Sequence, residues 1–217
     1  MKTFRPIVPG LLFLAAFLVL TVLICYVDVQ PYGSGSMDLG LATINTNVRN
    51  AIGESKTMFT LTEILGYLTW GVVAFFGLLG LSQLVHRQSL LKVDRDIILL
   101  GFGYVIMLAC YVLFDRIPIN YRPYCSWRVE LESSYPSSHT LMIVFVMATA
   151  VIQILRRMRA GLARNLLIAL CIITATVVTV GRLLSGVHWL TDIIGGLLLG
   201  AALAALYGGL IKQKAEA

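Results

Sequence analysis

The chain has 217 residues, of which 58% are hydrophobic and 13% charged, with a formal net charge of +6 and a mean hydropathy of +0.85. A soluble domain carries about 25% charged residues, so this composition excludes an ordinary water-soluble globule and places the chain in the membrane class. Its positive charge forms no basic stripe or recognition motif, which argues against a nucleic-acid partner.

Lys2 and Arg5 precede a long apolar run. The run resembles a signal peptide, but no small-x-small cleavage pattern stands before Asp28, so it is read as a retained anchor. Six spans are expected, near Val8–Val27, Glu63–Val85, Ile97–Phe114, Thr140–Leu155, Leu166–Leu184 and Leu190–Leu210. A span needs about 17–25 mainly apolar residues, so the fourth is long enough only if its helix begins near Ser137. Spans and connections use nearly the whole chain. The expected fold is therefore all-α: one membrane domain over residues 1–217, with six transmembrane helices in one bundle.

After the first span, Pro31-Tyr32-Gly33-Ser34-Gly35-Ser36 is a turn-rich break. Leu41, Ile44, Val48 and Ile52 then recur at helical spacing among polar residues. That pattern fits an interfacial amphipathic helix on the outer leaflet, or equally a loop helix packed on the bundle. The second span carries aromatic residues but no visible chemistry, and His86 at its far end is read as surface. Gly195, Gly196, Gly200 and Gly208 in the last span permit close helix approach.

Eleven of the 17 basic residues fall on one side of a six-span topology: Lys2, Arg5, Arg87, Lys92, Arg95, Arg156, Arg157, Arg159, Arg164, Lys212 and Lys214. The positive-inside rule then puts both termini in the cytoplasm. A compact chain of this kind fits a bacterial inner membrane. Alternation of spans brings three polar segments to the opposite, outward face: the connection from Asp115 to Tyr135, the start of the fourth span, and the turn into the sixth.

Those segments hold the candidate chemistry. His188 and Asp192 lie one helical turn apart. A carboxylate bonded to one imidazole nitrogen fixes the tautomer and leaves the other nitrogen free to attack. Arg182 offers planar donors suited to phosphate oxygens. In the second cluster, Pro136-Ser137-Ser138-His139, proline and serines make a helix start. Its first-turn amides form an anion site, Ser137 can add a donor, and His139 can protonate a leaving oxygen. Arg122-Pro123 adds a further clamp, with Arg116 and Arg128 as additional donors. The four cysteines have no metal-type spacing. Cys25 and Cys125 both fall toward the outer face, compatible with a disulfide.

Taken together, these motifs resemble the type 2 phosphatidic acid phosphatase superfamily, which includes the vanadium haloperoxidases. The family signature is Lys-x6-Arg-Pro, Pro-Ser-Gly-His and Ser-Arg-x5-His-x3-Asp. Arg122-Pro123 matches the end of the first part, residues 136–139 the second with Ser138 in place of Gly, and residues 182–192 the third with Gly181 in place of Ser. Asp115 stands where the family has Lys; Arg116 is the neighbouring substitute, and Asp115 is otherwise suited to a cationic headgroup. The resemblance implies His188, His139 and Asp192 as catalytic residues, with Arg122, Arg182, Ser137, Ser138 and Arg116 binding substrate. It implies a metal-independent lipid phosphatase without cofactor, acting through a phosphohistidine. The expected partners are membrane lipids and a lipid phosphate: phosphatidic acid, phosphatidylglycerophosphate or a polyprenyl diphosphate. The alternatives are a lipid phosphotransferase using the same histidine and a non-catalytic lipid-binding relative.

Overall fold

The structure is a computed structural model that describes residues 6–33, 37–127 and 132–212. Six helices are long and apolar enough to cross a membrane: α1 (Val8–Tyr26), α3 (Lys56–Arg87), α4 (Arg95–Arg116), α5 (Ser138–Arg157), α6 (Leu162–Leu184) and α7 (Leu190–Lys212). A shorter helix, α2 (Ala42–Ile52), follows the first span, as the Leu41–Ile52 periodicity predicts. The chain is thus an all-α membrane bundle. The described residues also include a 3-10 turn at Leu90–Lys92, an isolated Tyr121–Ser133 bridge and a small antiparallel strand pair, β1 (Gln30–Tyr32) with β2 (Met37–Leu39). The sequence reading had only a turn-rich break there. Strands of three residues are too short to show a period.

Helices α5 and α7 are the middle of the bundle. Half of each apolar window is buried, against 11% to 22% for the other spans. The outer helices instead present large hydrophobic side chains such as Leu12, Phe75, Phe102 and Ile173 outward, as a lipid-facing surface requires. Glycine lets the central pair close up. A Cβ on Gly196 would lie 2.8 Å from the Ser137 carbonyl oxygen, and one on Gly200 2.9 Å from that of Leu141. Gly208, by contrast, leaves ordinary contact distance to Ile152.

One difference from the expected boundaries and one packing arrangement bear on the site. Helix α3 starts at Lys56, capped by Ser55, whose side chain accepts from the Met58 amide. That is seven residues before the expected start. For α2, packing on the bundle is the arrangement found. Fully buried Asn45 donates to the Gly40 carbonyl and the Thr191 hydroxyl and accepts from the Thr191 amide, while Ile44 stays exposed. A polar anchor therefore docks this helix onto the first turn of α7.

At the far end of the bundle, Asp94 and Asp96 gather the basic residues. Arg87 and Arg157 pair with Asp94, and Arg156 and Arg157 with Asp96. Gln153 donates to Asp96, which joins α4 to α5 below the core. All four cysteines are free. Cys125 is buried and its thiol points at the Gly186 carbonyl, 3.4 Å away; burial raises its pKa. The Cys25–Cys125 pairing is therefore not found.

Candidate active site

At the end of the bundle opposite those aspartates, a cavity of about 490 Å³ opens between α3, α4, α5, α6 and the connections that join them. His188, His139, Arg122, Arg182 and Ser138 all line it. Residues up to 66 positions apart in sequence thus meet as the alternating spans required.

The turn from α6 into α7 sets His188. Gly186 has φ +75°, and a Cβ there would sit 2.8 Å from the Gly53 carbonyl oxygen, so glycine is needed for both conformation and space. Trp189 is buried, with its indole N–H donating to the Tyr121 carbonyl at 2.7 Å. Asp192, in the first turn of α7, is fully buried. Its Oδ2 accepts from the Trp189 amide at 2.8 Å and lies 3.5 Å from His188 Nδ1. One oxygen therefore both caps the helix and faces the ring.

On the other side, Nε2 of His188 is 3.4 Å from Arg122 Nη1. A guanidinium only donates, so Nε2 carries the lone pair and the proton belongs on Nδ1, toward Asp192. Burial, reinforced by Arg122 and Arg182, holds the His188 pKa well below the usual 6.5. The ring is consequently neutral at neutral pH, with a free nitrogen aimed into the cavity. That is the form a nucleophile needs.

Ser137 does not line the cavity. It is buried beneath it as the N-cap of α5, its Oγ accepting from the Thr140 amide and hydroxyl. Its own amide donates to the Asp192 carbonyl at 3.0 Å, tying the two motifs together through the backbone. With the Thr140 and Leu141 amides directed to Ser137, the first-turn amides left for an incoming anion are those of Ser138 and His139.

Arg122 is held by Glu132 at 3.0 Å. The connection around it is laddered: the Arg122 amide donates to the Glu132 carbonyl, and the Ser134 amide to that of Asn120. Farther along, Arg49 and Ser126 both reach Glu54, and the Ser126 hydroxyl bond chiefly keeps the Glu54 carboxyl below its usual pKa. Asp115 lines the cavity, whereas Arg116 is exposed at the end of α4 and is not among the lining residues. The structure thus brings Asp115, not Arg116, to the site. Arg128 lies outside the described residues.

The residue that sequence reasoning missed is Glu63 of α3. Its Oε1 is 2.7 Å from Arg182 Nη1 and 3.4 Å from His139 Nε2. Phe59, one turn earlier, places its ring 5.1 Å from the Arg182 guanidinium carbon, and the Thr62 hydroxyl lies 3.5 Å from Nη1. The early turns of α3 therefore surround Arg182, whose side chain is only 1% exposed. A buried guanidinium needs such partners. The available sequence signal was a carboxylate at a span end, costly unless paired or functional.

A second, more apolar cavity of about 260 Å³ shares Glu63, Tyr111, Ser138 and His139 with the first. It continues between α3 and α5 along Tyr67 and Trp70, which are exposed on the lipid-facing side. Among the described residues, no group of three or more His, Cys, Asp or Glu is placed to hold a metal ion.

These features define a membrane bundle with a cavity at one end that gathers two histidines, two arginines and three carboxylates. Residues 12–214 match the family model of the PAP2 superfamily, and the chain belongs to that family. The fold is similar to the crystal structure of a transmembrane PAP2-type phosphatidylglycerolphosphate phosphatase from Bacillus subtilis, with a TM-score of 0.67 and 15% identity over 94% of this chain and 96% of that one. No curated protein matches the chain.

Proposed function

We propose that the protein is an integral membrane phosphatase that hydrolyses a lipid phosphate, a monoester or diphosphate, at the membrane surface. The observation that carries this reading is His188: a neutral ring whose free Nε2 faces the cavity beside Arg122, with Asp192 behind its protonated Nδ1. In the reaction, Nε2 attacks phosphorus and the bond to the lipid oxygen breaks. His139 gives its proton to that oxygen, and Arg122, Arg182 and the amides of Ser138 and His139 hold the charge on the phosphoryl oxygens. Asp192 stabilises the positive charge that develops on the ring. Water then attacks the phosphohistidine, returns a proton to His139 and releases phosphate.

The cavity that runs on between α3 and α5 suits the apolar tail. Positive-inside counting supports a site facing away from the cytoplasm of a bacterial inner membrane, with both termini on the cytoplasmic side. A second reading, transfer of the phosphoryl or headgroup unit to an alcohol, is favoured by Asp115 in the cavity wall, where a carboxylate weakens a phosphate clamp and suits a cationic headgroup.

The test is phosphate release from phosphatidic acid, phosphatidylglycerophosphate and undecaprenyl diphosphate by purified protein in detergent with EDTA, beside His188→Ala. Release in EDTA that disappears in the variant is expected. Activity abolished by EDTA rejects the metal-independent reaction, release that survives in His188→Ala rejects the nucleophile, and transfer without release moves the reading to the transferase.

A further inference from the structure

An anion clamp gains nothing from a carboxylate, yet Glu63 stands inside this one. Two neighbouring requirements conflict. Arg122 and Arg182 attract phosphate, yet they share the cavity with His139, which has to carry a proton to act as an acid. From the geometry we infer that Glu63 is the positioning residue of the reaction, keeping His139 proton-bearing between the two arginines. The inference rests on the phosphatase reading above.

The contact itself supports the role. A carboxylate only accepts, so at 3.4 Å from Oε1 the His139 Nε2 has to carry the hydrogen. Glu63 is held more firmly by Arg182, at 2.7 Å, so it stays ionised and in place when the proton leaves. The contact to His139 is long enough for a lipid ester oxygen to compete for the same hydrogen. During the first step, that proton moves from Nε2 to the leaving oxygen; during hydrolysis, a proton of the attacking water returns to Nε2. Glu63 is unchanged throughout.

Packing is arranged to bring this carboxylate in. A Cβ on Gly181 would sit 2.6 Å from Thr62 Cγ2, so α3 crosses α6 at a place where the larger serine of the family pattern does not fit. Gly66, one turn below Glu63, leaves the helix bare against the imidazole, its hypothetical Cβ 3.4 Å from His139 Cδ2. Sharing the cavity with His139 are Asp115 and Tyr111 of α4, Arg122 and Glu132 of the connection, Arg182 of α6, and His188. Tyr67 borders it on the membrane side. Of these carboxylates, Glu132 is committed to Arg122. The two histidines differ in their surroundings: His188 is sealed against Asp192, while His139 is a quarter exposed and stands beside Glu63.

The test compares the wild type with Glu63→Gln, which keeps the shape and removes the charge. Two probes are used, dioleoyl phosphatidic acid, whose alkoxide leaving group needs a proton, and para-nitrophenyl phosphate, whose leaving group does not. Glu63→Gln is expected to cut kcat on the lipid about 100-fold, to change kcat on the aryl ester by less than about 10-fold, and to move the alkaline limb of the pH profile down by about one unit or more. Equal losses on both probes with an unmoved limb reduce Glu63 to a structural residue and overturn the inference. An NMR titration of the His139 ring reads the same point without turnover, since the chain has only 3 histidines to assign. A midpoint that falls in Glu63→Gln supports the role, and one that stays overturns it. Should neither probe be hydrolysed by the wild type while the midpoint still falls, the phosphatase reading fails and the Glu63–His139 assignment stands.

Discussion

Substituting Asp192 by Asn separates two jobs performed by one oxygen. Asp192 Oδ2 is 2.8 Å from the Trp189 amide and 3.5 Å from His188 Nδ1. An asparagine oxygen in the same place accepts from both, so the start of α7 and the tautomer of the ring are kept. Only the charge is lost. When Nε2 attacks phosphorus the ring becomes cationic, and an ionised carboxylate at that distance is worth at most about 4–5 kcal/mol at an effective dielectric constant of about 20. At about 1.4 kcal/mol per decade, kcat for lipid phosphate hydrolysis is expected to fall by as much as about 10³-fold. KM and the melting temperature should change little. Asp192→Ala removes the acceptor as well. It should lose a similar factor in rate and also about 1–3 kcal/mol of stability through the unsatisfied Trp189 amide. The assay is steady-state phosphate release in detergent micelles, with thermal melting followed by tryptophan fluorescence. A kcat for Asp192→Asn within 10-fold of wild type, in a protein melting normally, would show that no charge builds up on His188 and refute the nucleophilic role.

The acid side of the pH profile is set by His188, whose active form is neutral and whose pKa lies well below 6.5. kcat/KM should hold as pH falls through 6.5 and drop only in more acid solution, whereas a limb at or above 6.5 contradicts the buried, arginine-flanked ring. Stability begins to fall at a higher pH than activity does: the unfolded chain takes up this proton near 6.5 before the folded one does, so the contribution is lost as pH falls below that value. Gly181→Ser should clash with Thr62 and destabilise the protein by about 1–3 kcal/mol. Combining it with Thr62→Ser, which removes the offending methyl and retains the hydroxyl beside Arg182, should recover much of the loss in a melting-based double-mutant cycle; purely additive effects would contradict the close α3–α6 crossing.

Hydropathy made the six spans legible, and alternation of spans was enough to bring residues 122, 136–139 and 182–192 to one end. Two things lay outside its reach. The first turns of α3, Lys56 to Thr62, are too polar at their start to be counted with an apolar run, yet Phe59 and Thr62 lie against Arg182. Glu63 meets Arg182 across 119 positions, and nothing local in the sequence marks such a pair. Similarly, Asn45 broke the apolar periodicity of α2 and was the residue that seated it. Ser137, expected to start the helix and also to donate to substrate, caps α5 from beneath the cavity and is not among its lining residues. Arg116 followed from a one-residue shift to compensate for Asp115; the end of α4 instead turns Asp115 to the cavity.

The bundle has an inner pair and an outer ring, and the two histidines are attached to the inner pair. The Ser137 amide bonded to the Asp192 carbonyl and the bare face of Gly196 against the Ser137 carbonyl fix α5 to α7 at the level of the site. Thinning or thickening of the bilayer acts first on helices that touch lipid, by tilting them. Here it would act on α1, α3, α4 and α6 before it reached the spacing between His139 and His188. The spacing of the two histidines is in this way buffered against the mechanical state of the membrane, whereas the Arg182–Glu63 pair, carried on α6 and α3, is the part of the site that meets it first.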